Sequence, residues 1–197
     1  GKILKGEERK MFETKKLAGV VDTNTHQELC NLITSLDFPW YYLEDTTYER
    51  SDKKSRSTPA FAHLLLHNQH RSEYLDRFTP VYQGIIDQLD VQPKKVFRMR
   101  LGLLMNTRYI TPHEPYAFNE PHIDADFPHI TACYHFWHSD GRTHVFNETE
   151  KVDKYTTHEV FEGDINSAVV FDGSRYHASC CPKIHTKRVV LTVNFTL

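Results

Sequence analysis

No stretch of this chain approaches the roughly 18 consecutive apolar residues of a membrane-spanning helix, and no short apolar segment follows a basic start as a secretory signal would. A soluble, cytoplasmic protein is expected. Net charge is nearly absent as well: 24 basic residues against 26 acidic ones leave −2 with histidine neutral. There is no large basic field to neutralise duplex phosphates and no basic stripe interleaved with aromatics, so nucleic acid is not an expected partner. Cysteine is scarce, and Cys30, Cys133, Cys180 and Cys181 show no C-x-x-C spacing; ordinary zinc ligation is disfavoured and reduced thiols are expected. Repeats, Gly/Ser linkers and low-complexity segments are missing too. The 197 residues therefore read as one domain around one core.

What the chain has in quantity is rings: 12 Phe, 10 Tyr and 13 His, so much of the interior is built from aromatics with polar tips. Residues 23–36 open with capping residues and set Leu29, Leu32, Ile33 and Leu36 at helical spacing, with Pro39 ending the pattern. Residues 72–89 form a second helical stretch with a broad apolar face, and Pro80 inside it predicts a kink or a late start. Residues 45–57 are charged and poor in apolar side chains, as in a loop. From residue 95 onward the texture changes to short apolar or alternating runs at 96–105, 129–137, 143–146, 168–171 and 188–197, the pattern of antiparallel strands. The expectation is a mainly β (α+β) architecture: a β-sandwich or barrel over residues 96–197, with residues 1–95 as a helical support packed on one sheet.

Histidine is the anomaly, and it concentrates at EPHIDADFPH, residues 120–129. On an extended chain residues i and i+2 share a face, so His122 and Asp124 can aim an imidazole nitrogen and a carboxylate oxygen at one point. Asp126, four positions on, would lie roughly 13 Å from residue 122 and reads as a mouth residue. A third ligand must come from elsewhere, and a two-His, one-carboxylate face with open positions suits non-haem Fe(II). His177 is the stronger candidate, since it follows the apolar strand 168–171 and the Asp172-Gly173-Ser174 turn; His185, in the loop before residue 188, is the weaker. Further on, Arg188 is the sole cation in a core-like closing strand. A charge there needs a partner, and its planar fork suits bidentate capture of a carboxylate.

These residues resemble the 2-oxoglutarate and Fe(II)-dependent oxygenases, in particular the prolyl-4-hydroxylase-like branch with its small phage and marine microbial members. The match consists of His122-x-Asp124, His177 and Arg188. To these add Ser139-Asp140-Gly141-Arg142-Thr143-His144-Val145-Phe146, which is similar to that branch's G-G-x-T-x-F hairpin with Asp140 for the first Gly, and residues 163–171, similar to its G-x-A-x-x-F strand. H-x-D alone occurs by chance; the ordered set of five does not. The resemblance spans residues 96–197. It implies a double-stranded β-helix (jelly roll, cupin-like) with Fe(II) held by His122, Asp124 and His177, and 2-oxoglutarate paired through its far carboxylate with Arg188. It also implies O₂ as co-substrate, ascorbate as an activator, and hydroxylation of a C–H bond with release of succinate and CO₂. The substrate would be a prolyl or other protein side chain or a small metabolite.

Three positions depart from the family pattern. Leu104 or Met105 stands where many relatives carry a co-substrate-binding Tyr, and Tyr134 is taken as the replacement hydroxyl. Val190 stands in place of the Ser of R-x-S. Lys187, one residue before Arg188, occupies the type of position where collagen-type relatives use Lys. Against the ligand reading stand plainer ones: a hydrogen-bonded His and a turn Asp for His122 and Asp124, a rim cation for Arg188. His129, His135, His138, His144 and His158 read as surface or satisfied core residues, and Arg98 and Arg100 as same-face neighbours meeting substrate or solvent. The competing functional classes are a non-catalytic barrel that binds a metal or peptide, and a cupin-type metalloenzyme, whose barrels present more His ligands and need no Arg at this spacing.

Overall fold

Residues 9–47, 57–109 and 118–197 are described in this computed structural model. Their elements run β1 (Lys15–Ala18), α1 (Thr23–Ile33), β2 (Tyr41–Leu43), β3 (Ala60–His67), β4 (His70–Arg71), α2 (Leu75–Leu89), β5 (Lys95–Met105), β6 (Ile130–His135), β7 (Ser139–Phe146), β8 (Thr157–Gly163), β9 (Ser167–Asp172), β10 (His177–Ser179) and β11 (Lys187–Thr196). A large antiparallel sheet has the order β1-β9-β6-β11-β5-β3-β2, with β4 beside β3, and a smaller one the order β10-β7-β8. The expected double-stranded β-helix is therefore the observed architecture. Residues 1–95 are less helical than the periodicity suggests, because four strands of the described part lie there and β3 and β2 widen the large sheet beyond β5. Of the predicted 45–57 loop, residues 48–56 lie outside the described residues.

Alternation along the strands decides what lies inside. On β11 the odd residues Val189, Leu191, Val193 and Phe195 join the main core with Leu29 and Ile33 of α1 and Phe78, Val81 and Ile85 of α2. The even residues turn the other way: Val190 joins a second cluster with Cys133, Val145, Phe161, Val169 and Phe171 between the sheets, and Arg188 and Thr192 line a cavity there. One face of the large sheet is thus covered by helices and the other closes a barrel with the small sheet.

The helix ends follow local chemistry. Asp22 caps α1 by accepting from the Thr25 amide at 2.8 Å. Pro80 sits inside α2, where it lacks the N–H owed to the Asp76 carbonyl; the Thr79 hydroxyl donates to that carbonyl at 2.9 Å instead. Among the described residues no helix is long and apolar enough to cross a membrane.

Candidate metal centre

His122 and His177 face each other as a cross-chain pair, each amide donating to the other's carbonyl at 3.0 Å. This bridge brings the segment after residue 118 alongside β10 and sets the two rings against each other, tilted by 54° with centroids 4.6 Å apart. Each Nδ1 lies 3.1 Å from a carbonyl two residues upstream, Glu120 for His122 and Arg175 for His177. A carbonyl oxygen can only accept, so each Nδ1 carries the proton and each Nε2 presents a lone pair. Both lone pairs converge on Asp124 Oδ1, at 3.3 Å from His122 Nε2 and 3.7 Å from His177 Nε2, and the three ligand atoms lie within 4.8 Å of one another.

Two ligand atoms bonded at right angles to one metal at roughly 2.1 Å would stand roughly 3 Å apart. The observed spacing fits one ion on an open face, and the donor set of two neutral imidazoles and one carboxylate fits Fe(II). Asp124 is ionised: burial would raise its pKa, but the neighbouring Arg98 guanidinium outweighs it and holds the carboxyl well below its usual value.

Behind this face lies a cavity of about 80 Å³ lined by Leu104, Cys133, Thr143, Arg188 and Val190 together with the three ligands. At roughly 10–15 Å³ for each water, it has room for a small ligand. Arg188 is buried; Nε donates to the Gly141 carbonyl at 3.1 Å and Nη2 to the Thr143 hydroxyl at 2.8 Å. Those partners are neutral, and among the described residues no carboxylate pairs with it. Burial pushes its pKa down, opposed by the thiols of Cys133, Cys180 and Cys181, so among the described residues this cation is short of one anion. Gly141 makes the arrangement possible, since a Cβ there would sit 2.8 Å from Arg188 Cδ and from the Cys180 carbonyl. Cys133 does not supply the anion, because burial raises its thiol to about 11 despite Arg188.

No protein-family model matches this sequence, and no curated protein matches it in sequence. Solved structures do. A 2OG-Fe(II) oxygenase family oxidoreductase from Burkholderia pseudomallei superposes with a TM-score of 0.61 at 12% identity, over 93% of this chain and 85% of that one. The fold is that of the 2-oxoglutarate/Fe(II) oxygenases. A Pseudomonas putida prolyl-4-hydroxylase matches at a TM-score of 0.55 and 15% identity over 93% of this chain and 91% of its own. The viral collagen prolyl hydroxylase of Paramecium bursaria Chlorella virus-1, solved with 2OG, matches at 0.52 and 9% over 94% and 97%.

On this oxygenase fold four sequence-predicted residues, His122, Asp124, His177 and Arg188, meet at one cavity. Tyr134 does not. It points from β6 to the helix side, fully buried among the main core residues, with its hydroxyl on His26 Nδ1 and, at 3.0 Å, donating to Asn166 Oδ1. The reason is parity: Tyr134 pairs directly with Leu191, which lies an odd number of residues from Arg188 and so on the opposite face. Leu104, opposite Arg188 in the ladder, lines the cavity without a hydroxyl, whereas Met105 is exposed. Lys187 turns outward over the Trp137 ring, 4.5 Å from its centroid, which leaves Arg188 in the cavity. His185 bonds Asp140 at 3.0 Å and Asp126 is exposed; neither joins the ligands.

Sequence reasoning missed Asn194. Its Nδ2 donates to Asp124 Oδ2 at 2.9 Å and to Thr131 Oγ1 at 3.1 Å. Its signal was available: it is a polar residue six positions after Arg188, on the same inward face of a core-like strand.

Proposed function

We propose that this chain is a cytoplasmic non-haem Fe(II) and 2-oxoglutarate-dependent dioxygenase that hydroxylates a C–H bond of a prolyl or other protein side chain, or of a small metabolite. The observation that carries the reading is one cavity holding both a two-His, one-carboxylate donor set and a buried guanidinium whose described partners are neutral. Bound there, Fe(II) supplies with 2-oxoglutarate and O₂ the oxidation of the C–H bond, the keto acid leaving as succinate and CO₂.

The protein's contributions follow from its own side chains. His122 and His177 offer lone pairs already oriented by their carbonyl partners, so little reorganisation is needed on ligation. Asp124 adds a negative charge that offsets part of a dication's. Arg188 attracts the far carboxylate of a keto diacid, with Nε and Nη2 held by Gly141 and Thr143. Because the Thr143 oxygen accepts from Arg188, its O–H proton is left to donate to that carboxylate, supplying a hydroxyl that Leu104 cannot. Leu104, Ala178 and Val190 supply apolar wall between the polar groups and displace water there. The likeness to prolyl hydroxylases, together with the resemblance of the β7 sequence 139–146 to that branch's G-G-x-T-x-F segment, supports a protein side-chain substrate.

The test is anaerobic titration of the protein with Fe(II) and 2-oxoglutarate, watching for the weak visible metal-to-ligand charge-transfer band. Wild type should develop the band and His177→Ala should lack it. Arg188→Ala should need roughly ten- to a hundredfold more 2-oxoglutarate, the equivalent of losing one charged hydrogen bond. Folded wild-type protein that takes up metal yet shows no band would overturn the reading and leave a non-catalytic metal-binding barrel.

A further inference from the structure

Asp124 is built to ligate through one oxygen only. Oδ1 faces both imidazoles, while Oδ2 turns into a polar cluster carried by three neighbouring strands. Arg98 of β5 and Thr131 of β6 are both direct ladder partners of Asn194 on β11, so the three side chains lie abreast on the inward face. Asn194 is fully buried. Its Nδ2 donates to Asp124 Oδ2 at 2.9 Å and to Thr131 Oγ1 at 3.1 Å, and its Oδ1 accepts from Arg98 Nη1 at 3.1 Å. The same Nη1 stands 3.7 Å from Asp124 Oδ2.

The orientation of that amide is not free. A guanidinium donates and cannot accept, so Asn194 must turn its oxygen to Arg98 and its NH₂ to the carboxylate. Flipped, the amide would set two nitrogen donors face to face and an oxygen against an ionised oxygen. We infer that Arg98 and Asn194 are positioning residues for the metal ligand: Arg98 sets the amide's orientation, and the amide saturates Asp124 Oδ2 so that Oδ1 alone is offered to the metal. The inference rests on the metal reading of the His122, Asp124 and His177 cluster.

The test uses the metal-free full chain titrated with Mn(II), with free ion followed by its EPR signal, and Co(II), followed by its ligand-field absorption. Asn194→Leu and Arg98→Gln should each raise the Mn(II) dissociation constant by roughly ten- to a hundredfold and alter the Co(II) spectrum. Arg98→Lys, which still can only donate, should recover most of the affinity that Arg98→Gln loses. Circular dichroism checks the fold; if Asn194→Leu does not fold, the Lys and Gln variants at the partly exposed Arg98 decide. Folded variants that bind both ions like wild type, or Lys and Gln variants that behave alike, overturn the positioning roles while leaving the metal site intact. Wild type that binds neither ion overturns the metal reading itself.

Discussion

At Asp140 a carboxylate stands where the hairpin of the resembling enzymes carries glycine, and it organises a loop that glycine could not. Its oxygens accept from the amides of Lys183, Ile184 and His185 at 2.8, 2.9 and 2.9 Å, fixing the turn that leads into Lys187 and Arg188. Burial opposes ionisation, yet these donors and the His185 ring bring its pKa down from 3.8 to about 2. A carboxyl depressed in the folded state adds stability that is present above its unfolded pKa and lost as pH falls through its folded one. Asp140→Asn, which resembles the neutral acid, should therefore be less stable than wild type by roughly 1–2 kcal/mol at pH 7. The gap should close between about pH 4 and pH 2; urea melts across that range check it, and a constant gap would refute the account. The residues that gather at the cavity were legible at this scale because their chemistry is rare in a core-like context: an H-x-D pair, a later His, a lone Arg on an apolar strand. Tyr134 was not, because a tyrosine satisfies a helix-packed core as well as a ligand pocket.

Among the elements, the two helices and β5, β6, β7, β9 and β11 follow from periodicity, while β1 to β4, β8 and β10 do not. β3 (AFAHLLLH) is nearly all apolar on both faces and so lacks the alternation that marks a half-buried strand; pairing with β5 on one edge and β2 on the other fixes it. Close packing between elements is equally invisible in one dimension. Gly84 lies within α2, where glycine costs about 1 kcal/mol relative to alanine, so Gly84→Ala should stabilise an isolated helix. In the folded molecule a Cβ at that position runs into the Val20 backbone carbonyl, and overpacking costs roughly 1–3 kcal/mol. The clash involves backbone and cannot be relieved by a rotamer change, so it outweighs the propensity gain. With the overpacking cost in the upper half of that range, the net loss is roughly 1–2 kcal/mol, and thermal melts should show Gly84→Ala below wild type by roughly 2–8 °C, at 2–4 °C for each kcal/mol; a variant as stable as wild type would show that α2 is not seated against Val20.

For the molecule as a whole, the proposed ligation would be coupled to folding, because the candidate ligand atoms of residues 122, 124 and 177 meet only when β10 is bridged to the 118–122 segment. Anything that binds this constellation and not the unfolded chain stabilises the fold by mass action. Mn(II) and 2-oxoglutarate at about a hundred times their dissociation constants should each contribute up to about 2.7 kcal/mol, and together raise the melting temperature by roughly 10–20 °C. The increase should shrink strongly in Asp124→Ala, and calorimetric scans with and without the ligands would show it. Equal shifts in wild type and in the variant would place the binding elsewhere.

By itself the sequence determined the strand-rich C-terminal half, the two helices and the residues that meet at the cavity, His122, Asp124, His177 and Arg188, since each of these is written in local spacing and residue type. Tertiary structure alone decided which face of each strand looks into the barrel. That choice depends on ladder register between residues tens of positions apart, where a slip of one residue exchanges inside for outside. It took Tyr134 out of the site, put Arg188 rather than Lys187 in the cavity, and brought Arg98, Thr131 and Asn194 together beside Asp124.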